Sequence, residues 1–263
     1  MMIPHVDVRL AGCEAEVWLN DIPVLRLTGD RIPPFATRPV AEFLRGSKNV
    51  LTVVPFPGPT PGTSRQAMPR QAAADAAIEA KLVLYEPGDF PGSGAGDDVI
   101  TMVFGEGATQ PLPTQPASLS TDGPAGLPPW GWERAARIDS DPRIRSAIGQ
   151  FVQAAQTAFA AGDAAFFLRL ARTNFQELAQ AYPGLTLAER EQRFKACFAP
   201  KPGEASWQVA PLQPAEFDFR LCAEGRLLEL VDRQFRPVIR GQSRHWPMRM
   251  FVGVLDGQLQ VLR

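Results

Sequence analysis

The sequence predicts two domains: an all-β sandwich over residues 1–107 and an α+β domain over 140–263, joined by a Pro/Gly-rich linker at 108–139. Three observations predict this. Short runs of alternating apolar and polar residues, separated by turn pairs, fill residues 3–104. Residues 105–130 are dense in Pro, Gly, Ser and Thr. Beyond Asp141 the apolar period becomes helical, and after Glu216 it returns to two.

In the first domain Val6, Val8 and Leu10 alternate with Asp7 and Arg9, and Gly12 supplies a turn. A strand over Glu14–Leu19 follows, and Asn20-Asp21 turns the chain into Ile22–Leu27, where Pro23 predicts an edge or the start of a strand. Strands are expected at Arg38–Leu44, Asn49–Val54, Ala77–Tyr85 and Val99–Phe104, with a Pro/Gly-rich break at residues 55–63. Evenly spaced short strands with no long helical pattern are the signature of a sandwich.

The pairing of Val17-Trp-Leu-Asn20 with Phe43-Leu-Arg-Gly-Ser-Lys-Asn-Val-Leu-Thr-Val53 resembles the galactose-binding-like jelly roll of glycoside hydrolase accessory domains. There a strand ending Trp-Leu-Asn-Gly precedes a segment ending Leu-x-x-Gly-x-Asn-x-Leu-x-Val. Asp21 stands where that family has the glycine. The resemblance spans residues 5–104 and implies a jelly-roll-like sandwich, with Gly46 and Asn49 tolerating unusual φ. It also implies sugar binding as one function, but carries over no ligand residue.

The linker closes on Leu127-Pro-Pro-Trp-Gly-Trp, and Trp130 and Trp132 are either a ligand for another surface or rings tucked against their own domain. Three helices follow. Asp141-Pro142 caps the first, whose inward face is Ile144, Ile148, Phe151, Val152, Ala155 and Phe159. Asp163 caps a second, with Phe167, Leu170, Ala171, Phe175 and Leu178 inward. Thr186 and Glu189 form the capping box of a third, carrying Leu187, Phe194, Cys197 and Phe198. Trp207–Ala210 starts a sheet, and Glu216–Arg263 continues it as an antiparallel meander with turns at Glu224-Gly225 and Asp256-Gly257. On its first strand Phe217, Phe219 and Leu221 are the expected buried set, opposite Asp218, Arg220 and Cys222. Three helices on a curved antiparallel sheet resemble the cystatin-like or nuclear-transport-factor-2-like cone. That likeness implies a pocket used for catalysis, small-ligand binding or dimerisation.

Net charge −1 removes the general electrostatic case for nucleic acid or an anionic membrane. Cys13, Cys197 and Cys222 are an odd, sparse set, which fits a reducing compartment. With no signal-peptide pattern at the start of the sequence and no apolar run of membrane length, the expected location is cytoplasmic. His5 and His245 lie in different domains, so no metal site is expected. Phosphate-loop and nucleophile-elbow motifs are absent, and Asp97-Asp98 beside a glycine-rich loop reads as a solvated pair. No catalytic residue and no cofactor are assigned.

The densest polar-aromatic stretch is Arg236–Arg249, in which Arg240, Arg244 and His245 surround Trp246. Guanidiniums interleaved with an aromatic ring suit an interface or an anionic ligand. The expected partner-binding residues are therefore Arg240, Arg244, His245 and Trp246, with Trp130 and Trp132 as a second group. The expected function is a bacterial-type, non-catalytic protein that binds another protein, for example an immunity or adaptor protein that blocks a toxin or effector. The alternatives are a carbohydrate-binding accessory protein and a cone-type ligand binder or enzyme.

Overall fold

The computed structural model describes residues 2–29, 32–70, 72–138, 142–197, 217–241 and 247–263. The fold is a sheet-rich α+β arrangement, and its contacts divide it into two compact units, Met1–Pro129 and Trp130–Arg263.

The first unit contains two four-stranded antiparallel sheets. In chain order its strands are β1 (Ile3–Ala11), β2 (Ala15–Leu19), β3 (Ile22–Leu27), β4 (Phe35–Pro39), β5 (Lys48–Pro55), β6 (Ala77–Tyr85), β7 (Asp97–Gly105) and β8 (Ala117–Asp122). One sheet runs β4-β1-β6-β7 and the other β3-β2-β5-β8, so the chain changes sheet five times, after β1, β3, β4, β5 and β7. Each sheet buries an apolar face. Val6, Val8, Ile78, Ala80, Leu82, Ile100 and Met102 form one, and Ala15, Val17, Leu19, Leu51 and Val53 form the other. Trp18 is buried as well, so β2 is packed on both sides.

The Asn20-Asp21 turn is a two-residue hairpin with φ of 51° and 67°, joining Leu19 to its partner Ile22. Asn20 also serves the core. Its amide donates to Phe43 O (2.8 Å) and to Asn49 Oδ1 (2.7 Å), while its Oδ1 accepts from Val50 N (2.9 Å). Asn49 completes the lock by accepting from Arg45 N and donating to Arg45 O. Gly46 and Asn49 were expected at unusual φ, and neither has a positive φ. Gly46 is a matter of space, because a Cβ there would lie 2.6 Å from Leu127 O. Asn49 satisfies buried backbone groups that an apolar residue would orphan.

Two further expectations are corrected. Residues 38–44 do not form a strand: β4 ends at Pro39, and Ala41–Phe43 is a 3-10 turn that buries Phe43. The expected linker at 108–139 is structured in part. Its Ala117–Asp122 is β8, which pairs with β5 along six positions from Lys48↔Asp122 to Val53↔Ala117. A polar run such as Ala-Ser-Leu-Ser-Thr-Asp makes a strand here because it lies at a sheet edge and is mostly exposed.

The second unit begins with α1 (Gly131–Arg134), α2 (Pro142–Ala160), α3 (Ala164–Leu170), α4 (Arg172–Ala181) and α5 (Leu187–Cys197). Asp163 caps α3 by accepting from Phe166 N, and Thr186 with Glu189 forms the reciprocal box before α5. The expected second helix is two, broken between Leu170 and Arg172. Cys197, expected inward, is exposed, and α5 buries none of its residues. The strands are β9 (Phe217–Cys222), β10 (Leu227–Asp232), β11 (Ile239–Arg240), β12 (Pro247–Met248), β13 (Phe251–Leu255) and β14 (Gln258–Val261). The main sheet runs β14-β13-β10-β9, and β11 pairs with β12 as a separate ribbon. Asp256-Gly257 forms the tight hairpin between β13 and β14.

Ile148, Val152, Ala155, Phe159 and Phe167 of the helices share one core with Leu228, Leu230, Val252 and Val261 of the sheet. The expected alternation on β9 is inverted at its end. Leu221 is exposed, whereas Arg220 and Cys222 are buried. The face of β10 turned away from that core is buried too, at Leu227, Glu229 and Val231. The face that carries Arg220 is therefore covered at this point of the sheet, and an ion pair with Glu229 holds the guanidinium there. Phe198 and the expected strand Trp207–Ala210 lie outside the described residues.

Candidate functional site: an arginine face on two buried carboxylates

The second unit places two buried carboxylates, Glu229 and Asp232, three positions apart on β10 and so on opposite faces of the strand. Each holds its own pair of guanidiniums, Arg220 and Arg249 on Glu229 and Arg236 and Arg240 on Asp232. Glu229 lies directly opposite Arg220 in the β9–β10 ladder. Its Oε2 accepts from Arg220 Nε at 2.7 Å and also takes Arg220 Nη2. Its Oε1 accepts from Arg249 Nε at 2.6 Å. Each arginine lies over a phenylalanine ring, Arg220 over Phe235 at 5.2 Å and Arg249 over Phe251 at 4.9 Å. The Glu229 side chain is only 2% exposed, so its charge is compensated by guanidiniums and not by water.

Asp232 ends β10 and shapes the turn that follows. Its Oδ1 accepts from Gln234 N (2.8 Å) and Arg236 N (2.9 Å), and its Oδ2 accepts from Arg236 Nε (2.7 Å). This network fixes Phe235 at φ 59°, a strained value for an aromatic residue, so that its ring meets Arg220. Arg240 Nη2 stands 3.4 Å from Asp232 Oδ2, and its Nη1 donates to Pro237 O at 2.7 Å. The four arginines exceed the two carboxylates by two charges. They differ in access: Arg236 is 53% exposed and Arg249 33%, while Arg240 is 15% and Arg220 nearly closed off. Arg233, on the same turn, is exposed.

Of the residues expected to contact a partner, Arg240 is placed in this network, in a bracing position more than a protruding one. Arg244, His245 and Trp246 lie outside the described residues. Trp130 and Trp132 are buried, which removes them from the contact surface. They serve the interior because α1 is fastened at its first turn. Gly131 N donates to Glu177 Oε1, Glu177 Oε2 accepts from Arg263 Nη1 at 2.7 Å, and Arg263 lies over the Trp130 ring at 5.6 Å. Arg220, Glu229 and Asp232 were missed in the sequence, whereas Arg249 closes the polar-aromatic stretch singled out there. The signal that marks them is the cross-strand register that a short Glu224-Gly225 turn imposes, setting Arg220 against Glu229.

A second polar cluster lies on the first unit, on the β4-β1-β6-β7 sheet. Arg9 pairs with Glu79 (2.9 Å), and Lys81 bridges Glu79 and Asp98 (2.9 Å each). Burial raises the Glu79 carboxyl, but hydrogen bonds from Lys81 and Arg9 outweigh it and hold the group below the usual carboxylate range. Hydrogen bonds to Asp98 and Glu79 raise Lys81, so the Glu79–Lys81 pair stays ionised at neutral pH. Asp7 accepts from Tyr85 Oη (2.5 Å) and Thr37 Oγ1 (2.6 Å). Free space among these groups is about 30 Å³, room for a water or two against the ~300–1,000 Å³ of an ordinary ligand pocket.

Among the described residues no group of three or more His, Cys, Asp and Glu side chains is arranged to hold a metal ion, and no helix is long and apolar enough to cross a membrane. Comparison with known protein families, with curated proteins and with solved structures finds no match for this chain.

Proposed function

We propose that this chain is a non-catalytic binding protein that grips another protein through the arginine face of its second unit. The observation that carries the reading is the excess of guanidinium over carboxylate around Glu229 and Asp232, held by hydrogen bonds in a fixed arrangement. A pre-organised guanidinium loses little entropy when it engages a carboxylate, and arginine is prominent among the residues that dominate interfaces. The partner surface that fits is acidic. Arg233 and Arg236 make the outer contacts, and Arg244, His245 and Trp246 extend the same segment.

On this reading the first unit is a jelly-roll-like sandwich. Its support is the pair of four-stranded antiparallel sheets together with the Asn20–Asn49 lock. An immunity or adaptor protein acting in the cytoplasm on a toxin or effector is the specific version favoured. Sugar binding draws no support from the polar cleft, whose free space is too small.

The test is capture from a lysate of the native host on immobilised wild-type chain and on Arg233→Glu/Arg236→Glu, with a glycan array run in parallel. The expected outcome is a protein enriched on the wild type and reduced at least about tenfold on the variant, a modest hot-spot effect, with a blank glycan array. Equal capture by a folded variant, or specific retention of a glycan in place of a protein, contradicts the proposal.

A further inference from the structure

Phe90 is 79% exposed, the most exposed large apolar side chain among the described residues. Such a ring on a floppy tip would mean little, but its loop is fastened at both ends. Asp89 N donates to Glu86 O (3.0 Å), and Asp89 Oδ2 accepts from Glu86 N (2.9 Å). Beyond the ring, Ser93 N donates to Phe90 O (3.1 Å), Gly92 N donates to Tyr85 Oη (2.8 Å) and Arg9 donates to Gly92 O (3.0 Å). Gly92 sits so close on Phe35 that a Cβ would come within 2.5 Å of the ring. The Arg9–Glu79–Lys81–Asp98 cluster with Tyr85 is thus the pedestal of a displayed ring.

The surroundings of the ring define what it fits. Glu86, Asp89, Asp97 and Asp98 flank the loop, against Lys81 on Asp98 and Arg9 on the Gly92 carbonyl, so the loop is acidic on balance. An aromatic face with carboxylates beside it is the counterpart of a guanidinium. Among the described residues this chain uses that combination repeatedly within itself, for example at three phenylalanines. Arg9 stands between Glu79 and Phe35, Arg220 between Glu229 and Phe235, and Arg249 between Glu229 and Phe251. At Phe90 an exposed ring shares its loop with the exposed Glu86. The exposed Arg233 and Arg236 turn of the second unit is the matching element, in a chain whose opposite charges nearly cancel.

We propose that the Phe90 loop docks on the Arg233–Arg236 turn of a second copy of this chain, joining copies head to tail. The inference rests on the arginine-face reading and gives the same turn a second occupant, a copy of this chain that competes with the partner protein. A contact between two different patches either closes reciprocally in a two-fold dimer or continues into rings or longer assemblies.

Sedimentation velocity of the full chain over a range of concentrations tests this. The wild type is expected to associate with rising concentration, less so at high salt. Phe90→Ala and Arg233→Glu each alter an exposed side chain, and each is expected to weaken association at least about tenfold. Mixed in equal amounts, the two variants should form a one-to-one dimer, since one retains the turn and the other the ring. Glu86→Lys serves as a second loop variant. A wild type that stays monomeric overturns the inference and leaves the arginine face to the capture experiment. Association lost in Arg233→Glu but kept in Phe90→Ala and Glu86→Lys overturns the role of the loop while upholding the arginine face. Failure of the mixture to dimerise overturns the head-to-tail contact.

Discussion

Replacing Glu229 with alanine is expected to destabilise the second unit by about 3–5 kcal/mol, the range for breaking a buried ion pair from one side. The side chain is 2% exposed and is the carboxylate shared by Arg220 and Arg249. Without it both guanidiniums lose their main counter-charge while Arg220 stays almost wholly buried. Desolvation of an uncompensated charge, more than loss of attraction, sets the size of the effect. Glu229→Gln keeps the shape and some hydrogen bonding, so its loss should be smaller. Urea unfolding followed by tryptophan fluorescence measures both. A loss under about 1 kcal/mol for the alanine variant, the level of an exposed pair, would mean that water compensates these charges.

Trp132→Ala is the second large effect, expected at about 3–5 kcal/mol. The ring is fully buried on a helix of four residues, too short to hold itself by backbone bonds. What fixes α1 is packing together with the Glu177–Arg263 clamp, so truncating the ring removes the main apolar part of that attachment. The unfolding temperature should fall by roughly 10 °C or more. A change below about 0.5 kcal/mol, as for ordinary surface substitutions, would return Trp132 to the list of contact residues.

Local signals were the legible part of this fold. The turns at Asn20-Asp21 and Asp256-Gly257, the caps at Asp163 and Thr186, and the helix face from Ile148 to Phe159 all depend on neighbours within a turn or two. β8 was hidden because an exposed edge strand carries no alternation to detect. β9 misled for a related reason: period two separates two faces but does not say which is covered, and here Arg220 and Cys222 are buried while Leu221 is exposed. Asn49 called attention to itself through a motif, yet its function is a set of side-chain hydrogen bonds and not an unusual φ.

The candidate site was less legible because it is made by register. Arg236 and Arg240 stood out as sequence neighbours, but the carboxylates that organise them come from β10. In the first unit Arg9 and Glu79 are 70 positions apart and meet through the β1–β6 pairing. Alternating opposite charges at Asp7 and Arg9, and again at Glu79 and Lys81, were the available hint of a polar sheet face. Phe90 had no signal at all, since exposure of one aromatic ring in a glycine-rich loop is decided by the pedestal beneath it.

Calorimetric titration of the captured partner with wild type and with Arg233→Glu/Arg236→Glu decides whether the proposed arginine face is the binding surface. Affinity should weaken by at least about 2 kcal/mol, roughly thirtyfold, in a variant that still unfolds cooperatively. Wild-type affinity in that folded variant would contradict it.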